Sequence, residues 1–193
     1  MTTKPLPQIW LVRHGETEWS LSGQHTGRTD IPLTAHGEQV AAALKPRLAG
    51  RVFAKVLSSP SIRARRTCEL AGFAGVAVND PNLFEWDYGQ DEGRRTAEIV
   101  AARPGWKLFE DGTPGGETLA QVAARADSVV AQLRALNADA LLFAHRDILR
   151  VIVARWVGLP AVEAQRFYMD PASISVLGYD HDASEPIIRK LNT

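Results

Sequence analysis

Cysteine is almost absent from this chain of 193 residues, where Cys68 stands alone. One thiol cannot close an intrachain disulfide, and no CxxC pair or His-rich tract accompanies it, which argues against a disulfide scaffold or a thiolate metal site. Cys68 is expected as a buried, inert thiol. Net charge is missing too: 22 Lys and Arg balance 22 Asp and Glu. Without a broad basic field the chain has no general means of holding nucleic acid or an anionic membrane, so an anionic ligand must be caught by local charge. No window approaches the roughly 18 apolar residues of a membrane span. The opening MTTKPLPQIWLVRHG has no apolar run long enough for a signal peptide. The expectation is a protein that stays in the cytoplasm. There is no HExxH, no tight cluster of His, Cys and Asp, and no GxxxxGK, which argues against a metal centre and a Walker-type phosphate loop.

What is present fits one globular core. Hydrophobic residues make up 45% of the chain, and at roughly 150 residues per domain residues 1–193 are read as a single domain. A domain of this size buries about 70% of its unfolded surface and is stable without staples.

Short apolar, β-rich runs alternate with helical patterns. Ile9 to Val12, Val52 to Leu57, Val76 to Val78 and Ala140 to Ala144 read as strands. They are too apolar for a half-exposed sheet, which suggests a mostly parallel sheet covered on both faces. Ser59 followed by Pro60 reads as a cap and first helical residue for a helix through about Ala71. Thr34 is placed to cap a helix running to Leu48, and Thr118 with Gln121 matches a capping box. A last helix is read from Ile148 to Val157, with Asp147 at its cap or positive end. Loop signals concentrate at Asn79 to Asn82 and Asp111 to Gly116.

The alternation predicts a three-layer α/β/α sandwich, and such sheets place ligands beyond the carboxyl ends of their strands. The residues there are Arg13 and His14, Ser58 to Arg63, and His145.

The run LVRHGETEW from Leu11 resembles the signature of the histidine phosphatase (phosphoglycerate mutase-like) superfamily. Three further segments resemble the family in order: SSPSIRARRTCELA from Ser58, NLFEWDYGQDEG from Asn82 and LLFAHRDILR from Leu141. The resemblance implies the phosphoglycerate mutase-like fold and a phosphatase in which His14 is the nucleophile and Glu85 the proton donor. Arg13, Arg63 and His145 would bind the phosphoryl group. No metal or other cofactor is implied.

The chemistry suits these residue types. A neutral imidazole attacks phosphorus when an acceptor holds its other ring nitrogen. The transferring group spreads charge over its equatorial oxygens, so the work is placement and cationic clamping. Arg13, Arg63 and a protonated His145 would supply three cations. A carboxyl sheltered beside Phe84 and Trp86 would keep a proton near neutral pH and give it to the leaving oxygen.

Ser20, where the family often has asparagine, and Thr26, in the loop GQHTGRTDIPLT, are candidate phosphate donors, against a turn or cap role for each. Arg28, Arg94 and Arg146, with Arg95 beside them, are candidates for the substrate rim, against the commoner solvated arginine. His25, His36 and His181 read as surface residues. Arg146 and Asp147 depart from the family, which places small residues after the second histidine.

Within the family the rival is a phosphoglycerate mutase. Those enzymes carry a longer insertion after the acidic segment, whereas about thirty residues separate Glu85 from the Gly115-Gly116-Glu117-Thr118 turn here. The segments from Gln24 to Thr34 and around FEWDYG resemble the branch containing sedoheptulose 1,7-bisphosphatase, which implies small sugar phosphates. A catalytically weak phosphate-binding module is a third reading. The expected partner is a small phosphorylated metabolite, and a homodimer is left open.

Overall fold

The computed structural model describes residues 5–193, so the first four residues of the opening segment lie outside it. The strands are β1 (Ile9–Arg13), β2 (Lys55–Ser58), β3 (Ala77–Asn79), β4 (Ala140–Ala144), β5 (Ile174–Tyr179) and β6 (Pro186–Lys190). The helices are α1 (Glu18–Ser22), α2 (Ala35–Ala42), α3 (Leu44–Leu48), α4 (Ile62–Leu70), α5 (Thr96–Ala102), α6 (Leu108–Asp111), α7 (Leu119–Leu136) and α8 (Arg146–Trp156).

The strands form one sheet in the order β3-β2-β4-β1-β5-β6. The first four are mutually parallel, β5 runs antiparallel to β1, and β6 runs antiparallel to β5. Both faces are covered, and successive residues serve opposite layers because side chains alternate along a strand. Ile9 and Leu11 join the core beneath α7 and α8, whereas Trp10 and Val12 join the one beneath α2, α3 and α4. This is the mostly parallel three-layer sandwich read from the sequence.

Register places the site. Leu11 and Leu57 both lie opposite Leu142, so β1, β2 and β4 end level with one another. Their next residues, His14, Ser59 and His145, emerge at one edge of the sheet.

Several local readings need correction. Strand β2 begins at Lys55, and Val52 is 88% exposed. Strand β3 is an edge with Val76 and Val78 in solvent, and β5 and β6 were not read at all. Helix α4 starts two residues late: Ser61 is its N-cap, the Ser59 hydroxyl is bonded to His145 instead, and Asp30 accepts from the Ile62 N–H. Thr34 does cap α2, but the helix breaks at Ala43. Pro46 has no N–H to offer the carbonyl of Ala42, which explains the break. Helix α8 begins at Arg146 with His145 in the cap position and Asp147 inside its first turn. The Thr118–Gln121 capping box is formed, and Cys68 is buried, its thiol pushed up to about 12 by desolvation.

Candidate active site

His14 leaves β1 with its backbone N–H donating to the Ala144 carbonyl at 2.9 Å. The turn is fixed by Thr67 Oγ1, which accepts from Gly15 N at 3.0 Å. A Cβ at residue 15 would lie 2.6 Å from the Gly37 carbonyl oxygen, so only glycine lets α2 approach this closely. The His14 ring is buried, and its Nδ1 lies 2.7 Å from the Gly15 carbonyl. A carbonyl only accepts, so Nδ1 carries the hydrogen and Nε2 presents a lone pair. Burial, then the charges of Arg63 and Arg13, holds this imidazole well below the usual histidine range. It is neutral at physiological pH.

Arg13 donates from Nη1 to the Met169 carbonyl at 2.6 Å. Its Nε is buried and has no partner among the described residues. A buried donor left unpaired costs free energy unless a ligand completes it. Desolvation, aided by Arg146, lowers the guanidinium to about 10, which leaves it charged at neutral pH.

Arg63, fully buried on the first turn of α4, is heavily committed. Its Nη1 donates to the Thr29 carbonyl and its Nη2 to those of Thr26 and Gly27. Its Nε donates to His145 Nδ1 at 3.1 Å. That bond corrects the expected charge of His145. A ring nitrogen that accepts carries no proton, so the ring is neutral, and its Nε2–H faces Ser59 Oγ at 2.7 Å. Desolvation first, then Arg63, holds His145 well below its ordinary range. Its ring centroid lies 5.2 Å from that of His14. The three groups expected to hold a phosphoryl group are therefore two arginines and a neutral imidazole.

Glu85 is buried on the segment after β3. The segment is pinned by Arg125, whose Nη1 donates to the carbonyls of Asn82 and Phe84 while its other nitrogens hold Glu117. Trp86, fully buried, donates from Nε1 to the Glu117 carbonyl at 2.8 Å. Burial, with the neighbouring Asp147 carboxylate second, raises Glu85 above the ordinary carboxylate range.

A cleft of about 80 Å³ brings together Arg13, His14, Ser20, Thr26, Glu85 and Arg146. Arg63 and His145 lie behind its wall. Ser20 faces the cleft with its hydroxyl occupied, accepting from Thr17 N at 2.8 Å in a capping box. Thr26 Oγ1 donates to the Gln24 carbonyl at 3.2 Å. Arg28 and Arg94, expected at the rim, do not line the cleft. Arg28 lies 4.4 Å over the Phe84 ring near Asp87 and Glu117, and Arg94 pairs with Asp91 at 3.0 Å. Arg95 occupies the cap of α5. A larger hollow of about 400 Å³ between α4 and β3 is lined by Ser58 and Ile62 but by none of the residues expected to act on or bind the phosphoryl group.

Two contributors, His25 and Tyr88, depart from the sequence reading, and a third, Asp147, tethers Arg146 as its adjacent charge suggests. His25, expected at the surface, is 7% exposed, packs its ring at a tilt 4.7 Å from that of Tyr88 and lines the cleft. Tyr88 donates its hydroxyl to Asp147 at 2.6 Å. Asp147, fully buried, gathers Arg146 and Arg150. The one hint in the sequence was proximity: His25 adjoins Thr26, and Tyr88 follows Glu85 by three residues.

The chain is similar to known proteins along most of its length. An acid phosphatase of Mycobacterium tuberculosis is 41% identical over 182 residues, spanning 90% of this chain and 87% of that one. Sedoheptulose 1,7-bisphosphatase of Saccharomyces cerevisiae is 34% identical over 79% of this chain and 68% of its own. A solved structure of a Mycobacterium tuberculosis open reading frame superposes with a TM-score of 0.91 at 37% identity, covering 96% of this chain and 97% of that one. The pattern of the histidine phosphatase superfamily, branch 1, matches residues 9–192, and the chain belongs to that superfamily.

Proposed function

We propose that this protein is a metal-independent phosphomonoester hydrolase acting through a phosphohistidine on small sugar or glycolytic phosphates in the cytoplasm. One observation carries the reading: the free Nε2 of neutral His14, the unpartnered Nε of Arg13 and the buried carboxyl of Glu85 share one cleft. His14 Nε2 attacks phosphorus, and the ester P–O bond breaks. The leaving oxygen takes the Glu85 proton and departs as an alcohol. Water then attacks the phosphohistidine, Glu85 takes up the water's proton, and the P–N bond breaks to release phosphate. Through both steps Arg13 faces the equatorial oxygens from the cleft, and the buried charge of Arg63 acts from behind its wall, held in place by its bond to His145.

The test is phosphate release from a panel of sugar and glycolytic phosphates with a chelator present. Full activity in the chelator and inhibition by vanadate are expected. A requirement for added metal would overturn the reading, and net transfer between phosphoglycerates without phosphate release would favour the mutase.

Arg146 supports a substrate with a second anion. Its side chain is 37% exposed on the cleft wall while Asp147 steadies it at 3.1 Å. Arg146→Gly is expected to raise KM several-fold, about the worth of one ion pair, for bisphosphates or phosphate-carboxylates and to leave the KM of simple monoesters little changed. Steady-state kinetics on both substrate classes checks this.

A further inference from the structure

Glu85 must carry a proton before it can give one, yet it sits where a proton should be lost. Its Oε2 accepts from Asp147 N and its Oε1 from Ile148 N and Trp86 N, each at 3.0 Å. Two of these donors open the eleven-residue helix α8, and donors at a helix start favour the carboxylate. Arg13 from the end of β1, Arg63 from α4 and Arg146 from α8 face the same group and pull in the same direction. His14 and His145 are neutral. Tyr88, from Glu85's own segment, keeps its proton, burial pushing its hydroxyl far up. Against these stand burial and one anion, Asp147.

Asp147 is held where its charge cannot move. Its Oδ1 accepts from Arg150 Nη1 at 2.7 Å and Arg146 Nε at 3.1 Å, and its Oδ2 accepts from the Tyr88 hydroxyl at 2.6 Å. Arg150 is itself anchored to the carbonyls of Ala164 and Gln165. Arg146 and Arg150 keep Asp147 ionised against its burial. The residue thus meets Glu85 twice, through its backbone N–H and through a fixed carboxylate on the same helical turn.

We propose that Asp147 is a positioning residue that keeps Glu85 in its protonated, proton-donating form. This rests on the reading of Glu85 as the acid. It also gives the departure from small residues after the second histidine a chemical purpose. Two neighbouring carboxyls in unlike surroundings divide the roles: the one with cationic and hydroxyl partners stays charged, and the other holds the proton.

Single-turnover phosphoryl transfer from glycerol phosphate, followed against pH, tests it. In the wild type the rate should fall at high pH as Glu85 ionises. Asp147→Asn removes the opposing anion, so this falling limb should move to lower pH by about one unit. Tyr88→Phe removes an uncharged donor from Asp147, leaves the anion less neutralised and should move the limb upward by about half a unit. The second variant decides the matter if the first does not fold. A limb that stays in place in the folded variants, whatever happens to the maximal rate, overturns the proposal by making Asp147 structural only. A limb that persists in Glu85→Gln overturns the assignment of the acid itself, a failure distinct from that of Asp147.

Discussion

His14→Ala is expected to lose nearly all turnover, by a factor of about 10⁴ or more, while the protein keeps its fold. The reason is the absence of a substitute. The nearest imidazole, His145, has both nitrogens engaged, Nδ1 by Arg63 and Nε2 with Ser59. Water in its place would have to attack an anion with no covalent intermediate to divide the barrier. Rapid quenching of the wild type should trap a phosphoryl label that is lost in acid and survives in base, and the variant should trap none. Unfolding curves establish that the variant is folded. Retention of more than about a tenth of the activity would contradict a nucleophilic role.

Glu85→Gln should lower turnover of alkyl phosphates by about 10² to 10⁴, the range for one positioned general acid. Nitrophenyl phosphate, whose leaving group departs almost unaided, should suffer far less. The comparison also separates chemistry from structure. The carboxylate accepts three backbone N–H bonds, whereas an amide turns an NH₂ toward some of those donors and disturbs the start of α8. Such a disturbance would slow both substrates alike. Equal losses would therefore assign Glu85 to holding the helix rather than to donating a proton.

Much of the frame was legible because it depends on neighbours in sequence. The apolar run Ile9 to Val12, the Thr118–Gln121 box and the Thr34 cap are local patterns, and all three formed. Strands β5 and β6 gave little local signal for different reasons: β5 is buried throughout but mixes Ser175 and Gly178 among its apolar residues, whereas the edge strand β6 has only Pro186, Ile187 and Ile188 before the charged Arg189 and Lys190. Ser59 was misread for a different reason. A serine before a proline has the chemistry of a cap, but its hydroxyl lies opposite a histidine 86 residues away, and no local pattern reports that.

The sequence by itself determined which groups could do the chemistry: the strand ends, the motif order and the residue types placed His14, Arg13, Arg63, Glu85 and His145 at one edge of a sheet. Only the tertiary structure decided their states of charge and their freedom. Protonation depends on burial and on partners brought from distant parts of the chain. His145, expected as a cation, is neutral because Arg63 donates to it across 82 residues. His25, expected in solvent, is buried against Tyr88. Arg28 and Arg94 were turned from the cleft by acids on neighbouring loops, and Asp147 became the anion beside Glu85 because α8 starts against the acidic segment. Chain order fixes which groups exist, and the low dielectric of the folded interior fixes which of them hold a proton.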